Sequence, residues 1–324
     1  MHSFLKYEEE ISCRLVSMAT LLLSQEQSLF SLSDTFIKND GSLVTVFDFA
    51  IQAAFCEKIL SIFPEDEFLG EESGAILKTH PQLIDKVLFF ANKINPSVSS
   101  DNLFELLSSH YHKKASRVWI SDPIDGTSGF AAGRESAVTL SLIENDEPIL
   151  GILGCPKYIY QNIEQSVVLL AKKNEGSFAF THYPDKKEQL HINKISANKP
   201  LVYTEARFSS TYHNHFLSFT SMLYASKNQP VNSWRKDSQT KYGYVATGNA
   251  DVLFRLPFYK SEEQVWDHVA GLLLIKEAGG VFSDMFGSPI SFSNKYTLKG
   301  THGIIAGEAS LCKTLTSYMQ QHFL

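Results

Sequence analysis

Asp122 and Asp125 are the two residues of this sequence whose spacing points most clearly to chemistry. They lie in the string Trp-Ile-Ser-Asp-Pro-Ile-Asp-Gly-Thr-Ser-Gly-Phe at 119–130, directly after an apolar run that predicts a buried strand. Because Pro123 cannot continue a strand, both carboxylates and the Ile124 carbonyl are expected at the strand end. Hard oxygen ligands that converge in one turn suit Mg²⁺. The alternative is an Asp-Pro turn in which the Asp only caps the backbone.

Three further acids stand at the ends or starts of predicted elements. Asp48 lies in the first turn of a predicted helix, and Asp267 directly precedes an apolar helix predicted at 269–278. For each of them a helix cap is the simpler explanation. Glu71 is the first of two adjacent acids after an apolar segment, where like charges are usually only solvated. Apolar segments that repeatedly end on acids nevertheless indicate one shared acidic site.

The elements that must position these acids are a mixture of helices and strands. Helical periodicity covers 4–29. Residues 74–116 are expected to be an inserted segment with short helices at 83–91 and 103–110. Alternating apolar and polar residues between 137 and 181, interrupted by Gly, Asn and Pro, predict an antiparallel sheet. The sequence therefore predicts an α/β (α+β) protein.

The length of 324 residues suggests two domains. The polar, lysine-bearing stretch at 184–199 is the best candidate for their boundary. We expect a mostly antiparallel α+β domain at 1–190, which carries most of the candidate metal ligands. A smaller α/β domain at 191–324 would contribute Asp267. The acidic site would then lie where the two domains meet.

Composition and charge exclude several functional classes. The net charge is −6, so no overall basic field would recruit a nucleic-acid polymer or an acidic membrane. The four cysteines are far apart and lack the spacing of metal ligands, so they are expected to be free thiols in a reducing compartment. Charged residues near the N-terminus argue against a secretory signal, and Leu21-Leu22-Leu23 is far too short to span a bilayer. We therefore expect a cytoplasmic protein.

The full set of motifs resembles the Mg²⁺-dependent, lithium-sensitive phosphatases of the inositol monophosphatase superfamily. Gly-Glu-Glu stands at 70–72, Asp-Pro-Ile-Asp-Gly-Thr at 122–127 and Trp-Asp at 266–267, in the order that these enzymes share. The resemblance covers nearly the whole chain and is weakest at 74–116 and 182–237. It implies a layered αβαβα sugar-phosphatase-type fold.

Four features make the chain similar to the 3′(2′),5′-bisphosphate nucleotidase branch. They are the long spacer between Glu72 and Asp122, Gly129-Phe130, Asp-Ser-Gln-Thr-Lys-Tyr at 237–242 and Asp-Val-x-x-Arg-Leu-Pro at 251–257. Two residues depart from the branch: Ser128 stands where it often has Lys, and Thr211 stands where a His is expected after Ser209-Ser210. Both departures bear on nucleotide recognition, which leaves the substrate more open than the chemistry.

The resemblance implies a complete catalytic site. Two Mg²⁺ ions, with a third held more loosely, would be bound by Glu71, Asp122, the Ile124 carbonyl, Asp125 and Asp267. Asp48 and Thr127 would orient an attacking water, so no covalent enzyme intermediate is required. The implied reaction removes the 3′(2′)-phosphate from adenosine 3′(2′),5′-bisphosphate, and the corresponding 5′-phosphosulfate is a further candidate substrate.

Substrate contacts are implied for Gly126, Ser128, Ser209, Ser238, Lys241 and Arg255. The amides after Gly126 begin a predicted helix and could bind a phosphate. Ser238 and Lys241 lie three apart on another predicted helix, where both can face the second phosphate of a nucleotide. The expected partner is thus a small phosphorylated molecule, and neither a nucleic-acid polymer, a membrane nor an oligomer is required.

Three alternative functions fit parts of this pattern. A haloacid-dehalogenase-type phosphatase has its acids two apart, whereas here they are three apart and separated by proline, which argues against it. An inositol mono- or polyphosphate phosphatase would share the metal site and differ around 209–211 and 238–241. A non-catalytic metal- and nucleotide-binding regulator would most easily have lost Asp48, Thr127 or a metal-binding acid, and all of these are present.

Overall fold

A computed structural model gives the fold and describes residues 5–27, 31, 34–108, 115–181, 183–184, 186–195, 199–206, 230–256 and 262–323. Its first elements are α1 (Lys6–Glu26), β1 (Thr35–Ile37), β2 (Leu43–Thr45), α2 (Val46–Ile62), β3 (Glu67–Gly70), α3 (Ala75–Thr79), α4 (Ile84–Ile94), α5 (Leu103–Leu106), β4 (Arg117–Ser121), α6 (Thr127–Ala131), β5 (Val138–Glu144), β6 (Glu147–Tyr160), β7 (Ile163–Lys172), β8 (Gly176–Phe180) and β9 (Glu188–Gln189). The remaining elements are β10 (Leu201–Ala206), β11 (Val231–Lys236), α7 (Thr240–Ala246), β12 (Val252–Arg255), α8 (Val269–Glu277), β13 (Val281–Ser283), β14 (Ile304–Gly307) and α9 (Ala309–Phe323), with 3₁₀ turns at Pro81–Leu83 and Val265–Asp267.

The first sheet has seven strands in the order β3-β4-β5-β6-β7-β8-β9. β3 and β4 pair in parallel, and the other neighbouring pairs are antiparallel. The parallel pair stays in register up to Gly70, which lies opposite Ser121. Because parallel neighbours end at the same edge of a sheet, the residues that follow Gly70 and Ser121 must lie side by side.

The second sheet has five strands in the order β11-β10-β12-β14-β13. β10 runs parallel to β11 and β12, whereas β14 is antiparallel to both of its neighbours. The chain leaves the edge strand β11 at Lys236 and enters α7 after three residues. This short connection brings the end of the second sheet close to the first.

The helices and sheets are stacked in five layers, which are held together by three apolar cores. α1, α2 and α4 cover one face of the first sheet, where Phe55 and Trp119 belong to one core. α7 and α8 lie between the two sheets, with Leu272 in the central core. α9 covers the outer face of the second sheet and buries Leu315 there. The layers therefore follow the order αβαβα, and the predicted α/β fold is confirmed.

One helix of the inserted segment is shorter than predicted. α5 ends at Leu106 instead of continuing to His110. The carbonyl of Leu107 accepts the N–H of Gly74 at 3.0 Å, which ties the two ends of the segment together and draws the chain out of the helix. Residues 109–114 lie outside the described part of the chain.

The cysteines agree with the prediction from their spacing, since all four are free and buried. Within the described ranges, the helices are too short or too polar to cross a lipid bilayer.

Candidate metal and phosphate site

The parallel pair β3–β4 brings Glu71 and Asp122 together. The N–H of Glu71 donates to the Ser121 carbonyl at 3.2 Å and so extends the pairing one residue beyond Gly70. Asp122 follows Ser121 directly and is only 2% exposed. Both acids therefore follow adjacent strand ends at one edge of the sheet, as their positions after two apolar segments predicted.

The segment from Asp122 to Asp125 leaves the sheet as a bend that is anchored at both ends. The N–H of Asp122 donates to Thr139 Oγ1 at 2.9 Å, and its carbonyl accepts the Thr139 N–H at 2.9 Å. Asp125 forms an isolated antiparallel bridge with Ala137. Between the anchors, the Ile124 N–H donates to Asp122 Oδ1 at 3.0 Å instead of to a strand. Contacts with Thr139 of β5 and with Ala137, just before β5, therefore anchor the bend that carries both carboxylates.

Asp48 is both a helix cap and part of the acidic group. Its Oδ2 accepts the Thr45 N–H at 2.7 Å and the Thr45 hydroxyl at 2.6 Å, which completes a capping box at the start of α2. Its Oδ1 lies 3.4 Å from the Thr127 hydroxyl. The same hydroxyl, which has one proton to donate, lies 2.9 Å from the Ile124 carbonyl as its alternative acceptor. The cap thus fixes one oxygen of a buried carboxylate and leaves the other beside Thr127.

Asp267 reaches the same acids from the other side of the cleft. Asp122, Asp125 and Asp267 each have one carboxylate oxygen within 4.8 Å of the corresponding oxygen of the other two. Asp267 ends a 3₁₀ turn, and α8 begins after His268 without a side-chain cap. The interpretation of Asp267 as a helix cap is therefore wrong, because the 3₁₀ turn separates it from the first turn of the helix.

Gln239, which was not predicted as a site residue, joins Asp125 to the turn that carries Asp267. Its backbone N–H donates to Asp125 Oδ2. Its side-chain amide donates to the Trp266 carbonyl at 2.8 Å and accepts the Gly271 N–H at 3.2 Å. One buried residue therefore contacts Asp125, the turn that carries Asp267, and α8. Its only sequence signal was its place in the motif at 237–242.

The acids are buried so deeply that their charged forms are disfavoured. Desolvation, followed by repulsion from neighbouring carboxylates, raises the pKa of Asp122 and of Asp267 well above its ordinary value. Desolvation also raises the pKa of Asp125 to about 6 and the pKa of Asp48 to about 7. Full ionisation near neutral pH therefore requires cations among them. Because these donors are oxygens, the group fits a hard divalent cation.

Lys38, in the turn between β1 and β2, is an internal cation that faces this group. Its Nζ lies 2.7 Å from Glu71 Oε1 and 2.9 Å from Glu72 Oε1. Burial opposes its charge, but attraction to both glutamates outweighs burial and raises the pKa of Lys38. Gln52 of α2 accepts the Glu72 N–H at 2.8 Å and donates to the Glu72 carbonyl at 2.6 Å. Neither contact was predicted, although a lone Gln in an apolar helix was a signal.

A cleft of about 290 Å³ opens onto the acids. It brings together nearly all of the predicted site residues, namely Glu71, Asp122, Ile124, Asp125, Gly126, Thr127, Ser128, Ser238, Lys241, Arg255 and Asp267. Asp48 joins them through Thr127. Ser209 and Thr211 lie outside the described residues.

Gly126 and Ser238 meet where the two halves of the cleft touch. Gly126 has a φ of +81°, in the left-handed region that favours glycine, and a Cβ added there would lie 2.9 Å from Ser238 Cβ. Ser238 has a φ of +60° and precedes α7, which begins at Thr240. The prediction that Ser238 shares a helix with Lys241 is therefore wrong. Lys241 instead donates to the Ser238 carbonyl at 2.5 Å, and burial lowers the pKa of Lys241 to about 8.

Arg255 belongs to an ion-paired group beside the acids. Its Nε and Nη2 lie 2.9 and 2.8 Å from Glu263 Oε2, and that oxygen also contacts His268 Nε2 at 3.0 Å. Glu263, Asp267 and His268 are close enough together to hold an ion. Because Arg255 already neutralises Glu263, we assign this second group to ion pairing and not to a metal.

The chain is similar to a known protein family, to curated relatives and to solved structures. The sequence model of the Inositol monophosphatase family matches residues 7–322. The curated 3′(2′),5′-bisphosphate nucleotidase of Schizosaccharomyces pombe is 32% identical, over 85% of this chain and 83% of the relative. The 3′(2′),5′-bisphosphate nucleotidase 2 of Candida albicans is 34% identical over 96% of each. The solved structure of extragenic suppressor protein suhB from Bartonella henselae has a TM-score of 0.66 at 19% identity, and the match covers 97% of this chain and 98% of that one.

Proposed function

Because this chain belongs to the inositol monophosphatase family, we propose that it is a Mg²⁺-dependent phosphomonoesterase that removes the 3′(2′)-phosphate from adenosine 3′(2′),5′-bisphosphate. One observation carries the proposal: Asp122, Asp125 and Asp267 each bring one carboxylate oxygen to within 4.8 Å of the other two. Lysine and arginine side chains, which suit phosphate, line the same cleft. Curated relatives at 32% and 34% identity carry the name of this activity, which supports the choice of a nucleotide.

The metal ligands would be Glu71, Asp122, the Ile124 carbonyl, Asp125 and Asp267, enough for two Mg²⁺ ions with a third held more loosely at Glu71. The raised pKa values of Asp122 and Asp267 support this assignment, because a bound cation offsets both the burial and the repulsion that raise them. Divalent ions bound there would neutralise negative charge on the phosphate oxygens and on the leaving oxygen, and they would lower the pKa of a bound water.

Asp48 and Thr127 would orient the attacking water. The capping box occupies Asp48 Oδ2, so that Oδ1 faces the Thr127 hydroxyl. The hydroxyl has one proton, and with a cation on the Ile124 carbonyl that proton would go to Asp48. The hydroxyl would then present its own lone pair to a water proton and leave the lone pair of the water directed at phosphorus. With a pKa of about 7, Asp48 can accept positive charge that develops on the attacking water, relayed through the threonine hydroxyl. Water attacks directly, and no covalent enzyme intermediate forms.

The remaining cleft residues would bind the rest of the nucleotide. Ser128 stands at the start of α6, and Ser238, Lys241 and Arg255 line the same cleft. The 5′-phosphosulfate analogue carries the same 3′-phosphate, so it is a candidate second substrate. The acids alone do not separate a nucleotide from an inositol phosphate, and the names of the relatives favour the nucleotide.

The remaining assignments concern organisation and location. We propose a domain boundary at 190/191, supported by the last strand of the first sheet at Gln189 and the first strand of the second at Leu201. All of the assigned ligands come from one chain, so the proposed reaction requires no oligomer. Buried free cysteines support a reducing, cytoplasmic location.

The proposal is tested by phosphate release from five compounds with Mg²⁺, with and without Li⁺: adenosine 3′,5′-bisphosphate, its 5′-phosphosulfate form, inositol 1-phosphate, inositol 1,4-bisphosphate and fructose 1,6-bisphosphate. We expect adenosine 3′,5′-bisphosphate to react fastest and Li⁺ to inhibit. Faster release from inositol 1,4-bisphosphate would overturn the substrate assignment.

The metal assignment is tested by Asp125→Asn, which should lower turnover about 10²-fold or more and raise the Mg²⁺ requirement. Asp146→Asn, in the exposed turn between β5 and β6, is the control and should behave like the wild type. Near-normal turnover of Asp125→Asn would overturn the metal assignment.

A further inference from the structure

We propose that Lys236 determines specificity for a second phosphate group, one that the enzyme binds but does not hydrolyse. Lys236 ends β11 and lines the cleft that contains the acids. None of the metal, water or substrate roles above uses it. The inference rests on the proposed function, because only a substrate with two phosphates gives this residue a ligand.

Among the described residues, three cations line the cleft: Lys236, Lys241 and Arg255. Lys241 is 5% exposed and donates to the carbonyls of Ser238 and Lys236 at 2.5 and 3.5 Å. Arg255 is held by the buried carboxylate of Glu263 at 2.8 Å. Both are therefore held in place by groups of the protein, and they would act on a bound substrate mainly through their charge.

Lys236 is held differently. Its Nζ lies 2.7 Å from Glu135 Oε1, and its side chain is 22% exposed. An ammonium group has three donors, and the hydrogen bonds of Lys236 among the described residues use one of them. Glu135 Oε1 also accepts the Tyr244 hydroxyl at 2.7 Å, so the charge of this glutamate is shared. Lys236 can therefore offer two N–H groups to a phosphate without leaving Glu135.

The surroundings of Lys236 also hold its ammonium group in place before any anion binds. Its Nζ lies 4.7 Å from the centre of the Tyr244 ring and 6.0 Å from that of Trp234. A cation that is already held in place loses little side-chain entropy when an anion binds. Asp237, the next residue, pairs with Arg134 at 2.6 Å, so its negative charge is compensated.

Lys236 is one step removed from the acids, because its partner Glu135 lies two residues before Ala137, the bridge partner of Asp125. It lies two residues before Ser238, and Ser238 contacts Gly126 where the metal-binding bend passes into α6. Ser128, which also lines the cleft, has no charge. Lys236 therefore supplies positive charge at the end of β11, where its ion pair among the described residues is with Glu135 and not with a proposed metal ligand. The matching substrate class is a nucleotide with a second phosphate monoester across the ribose from the first.

The test compares two substrates of the Mg²⁺-loaded enzyme, adenosine 3′,5′-bisphosphate and adenosine 3′-monophosphate. Lys236→Met should raise KM for the bisphosphate about tenfold, the size of one charge-assisted hydrogen bond, and leave kcat unchanged. KM for the monophosphate should stay within about twofold, because it lacks the second phosphate. Lys236→Arg should restore most of the affinity.

A matched control removes a positive charge elsewhere. Lys173→Met loses a lysine that pairs with Glu147, away from the cleft, and should leave both KM values unchanged. Equal increases of both KM values in Lys236→Met, or no increase, would overturn the role of Lys236 and leave the proposed function intact. If the wild type releases phosphate from neither nucleotide, the proposed function fails, and this inference fails with it.

Discussion

The hydroxyl of Thr127 lies 3.4 Å from Oδ1 of Asp48, and the other oxygen of Asp48 caps α2. The two residues are 79 positions apart in the chain. Their contact joins a helix of the outer layer to the bend that carries the metal ligands. Because one carboxylate has both roles, a change at Asp48 alters stability and turnover together. A change at Thr127 separates the two effects.

Thr127→Val should lower kcat by about 10²–10⁴-fold with little change in KM, since valine keeps the shape of threonine but has no hydroxyl to orient the water. Thr127→Ser keeps the hydroxyl and should remain within about tenfold of the wild type. Steady-state phosphate release measures both, and a thermal melt of each variant shows whether the fold is intact. Equal turnover of the valine and serine variants would contradict the orienting role.

The metal-free protein should become less stable as the pH rises from 6.5 to 8. The pKa of Asp48 is about 7 and that of Glu72 about 8, with burial as the largest cause, and both exceed the ordinary value near 4. In this window the folded state binds more protons than the unfolded state, so the free energy of unfolding falls with rising pH. Thermal unfolding after treatment with EDTA measures the decline.

Outside this pH range, two groups would oppose the predicted fall in stability. Burial lowers the pKa of His268, which acts in the opposite sense below about pH 6.5, and the lowered pKa of Lys241 acts in the opposite sense above about 8. Added Mg²⁺ should raise Tm more at pH 8 than at pH 6.5, because cations favour the ionised acids. A metal-free Tm that increases between these pH values contradicts the prediction.

Local sequence signals were sufficient to find the acids of the site. Pro123 stops a strand, so the positions of Asp122 and Asp125 follow from residues next to them. The strands expected between 137 and 181 are present as β5 to β8 for the same reason. Asp267 shows where local rules fail: its position before a helix indicates a cap, but contacts with a distant segment orient it toward the other acids.

The partners of the acids could not be predicted in this way. Lys38 meets Glu71 across 33 residues, and Gln239 meets Asp125 across 114. Such pairs depend on how the sheets and helices pack, and neither residue has a neighbour in the sequence that indicates its contact. The acids of the site can therefore be predicted largely from the local sequence. The groups that balance their charge depend on how distant segments pack together.

Lys38→Met should make the metal-free protein less stable and at the same time tighten Mg²⁺ binding. Lys38 is the cation 2.7 Å from Glu71, so its loss leaves buried acids uncompensated but removes a competitor for the metal. We expect a lower Tm in EDTA and a Kd for Mg²⁺ that falls about threefold to tenfold, measured by calorimetry. Lys86→Met breaks an ion pair with Asp34 and is the control, in which Mg²⁺ affinity should not change. Weaker Mg²⁺ binding by Lys38→Met would show that the lysine supports the metal site and does not compete with it.

Gln239→Leu should raise the Mg²⁺ concentration needed for half-maximal activity about tenfold, because the lost amide no longer holds the Trp266 carbonyl and Asp267 can move away from Asp125. The variant should also lose about 1–3 kcal/mol of stability, since the Gly271 N–H is left buried without its acceptor. Leu315→Ala, in the core under α9, should cost about 2–5 kcal/mol without touching the site. Titration of activity with Mg²⁺, together with thermal melts, separates the two effects. If Leu315→Ala shifts the Mg²⁺ requirement as much as Gln239→Leu does, the shift reflects lower stability and Gln239 does not position Asp267.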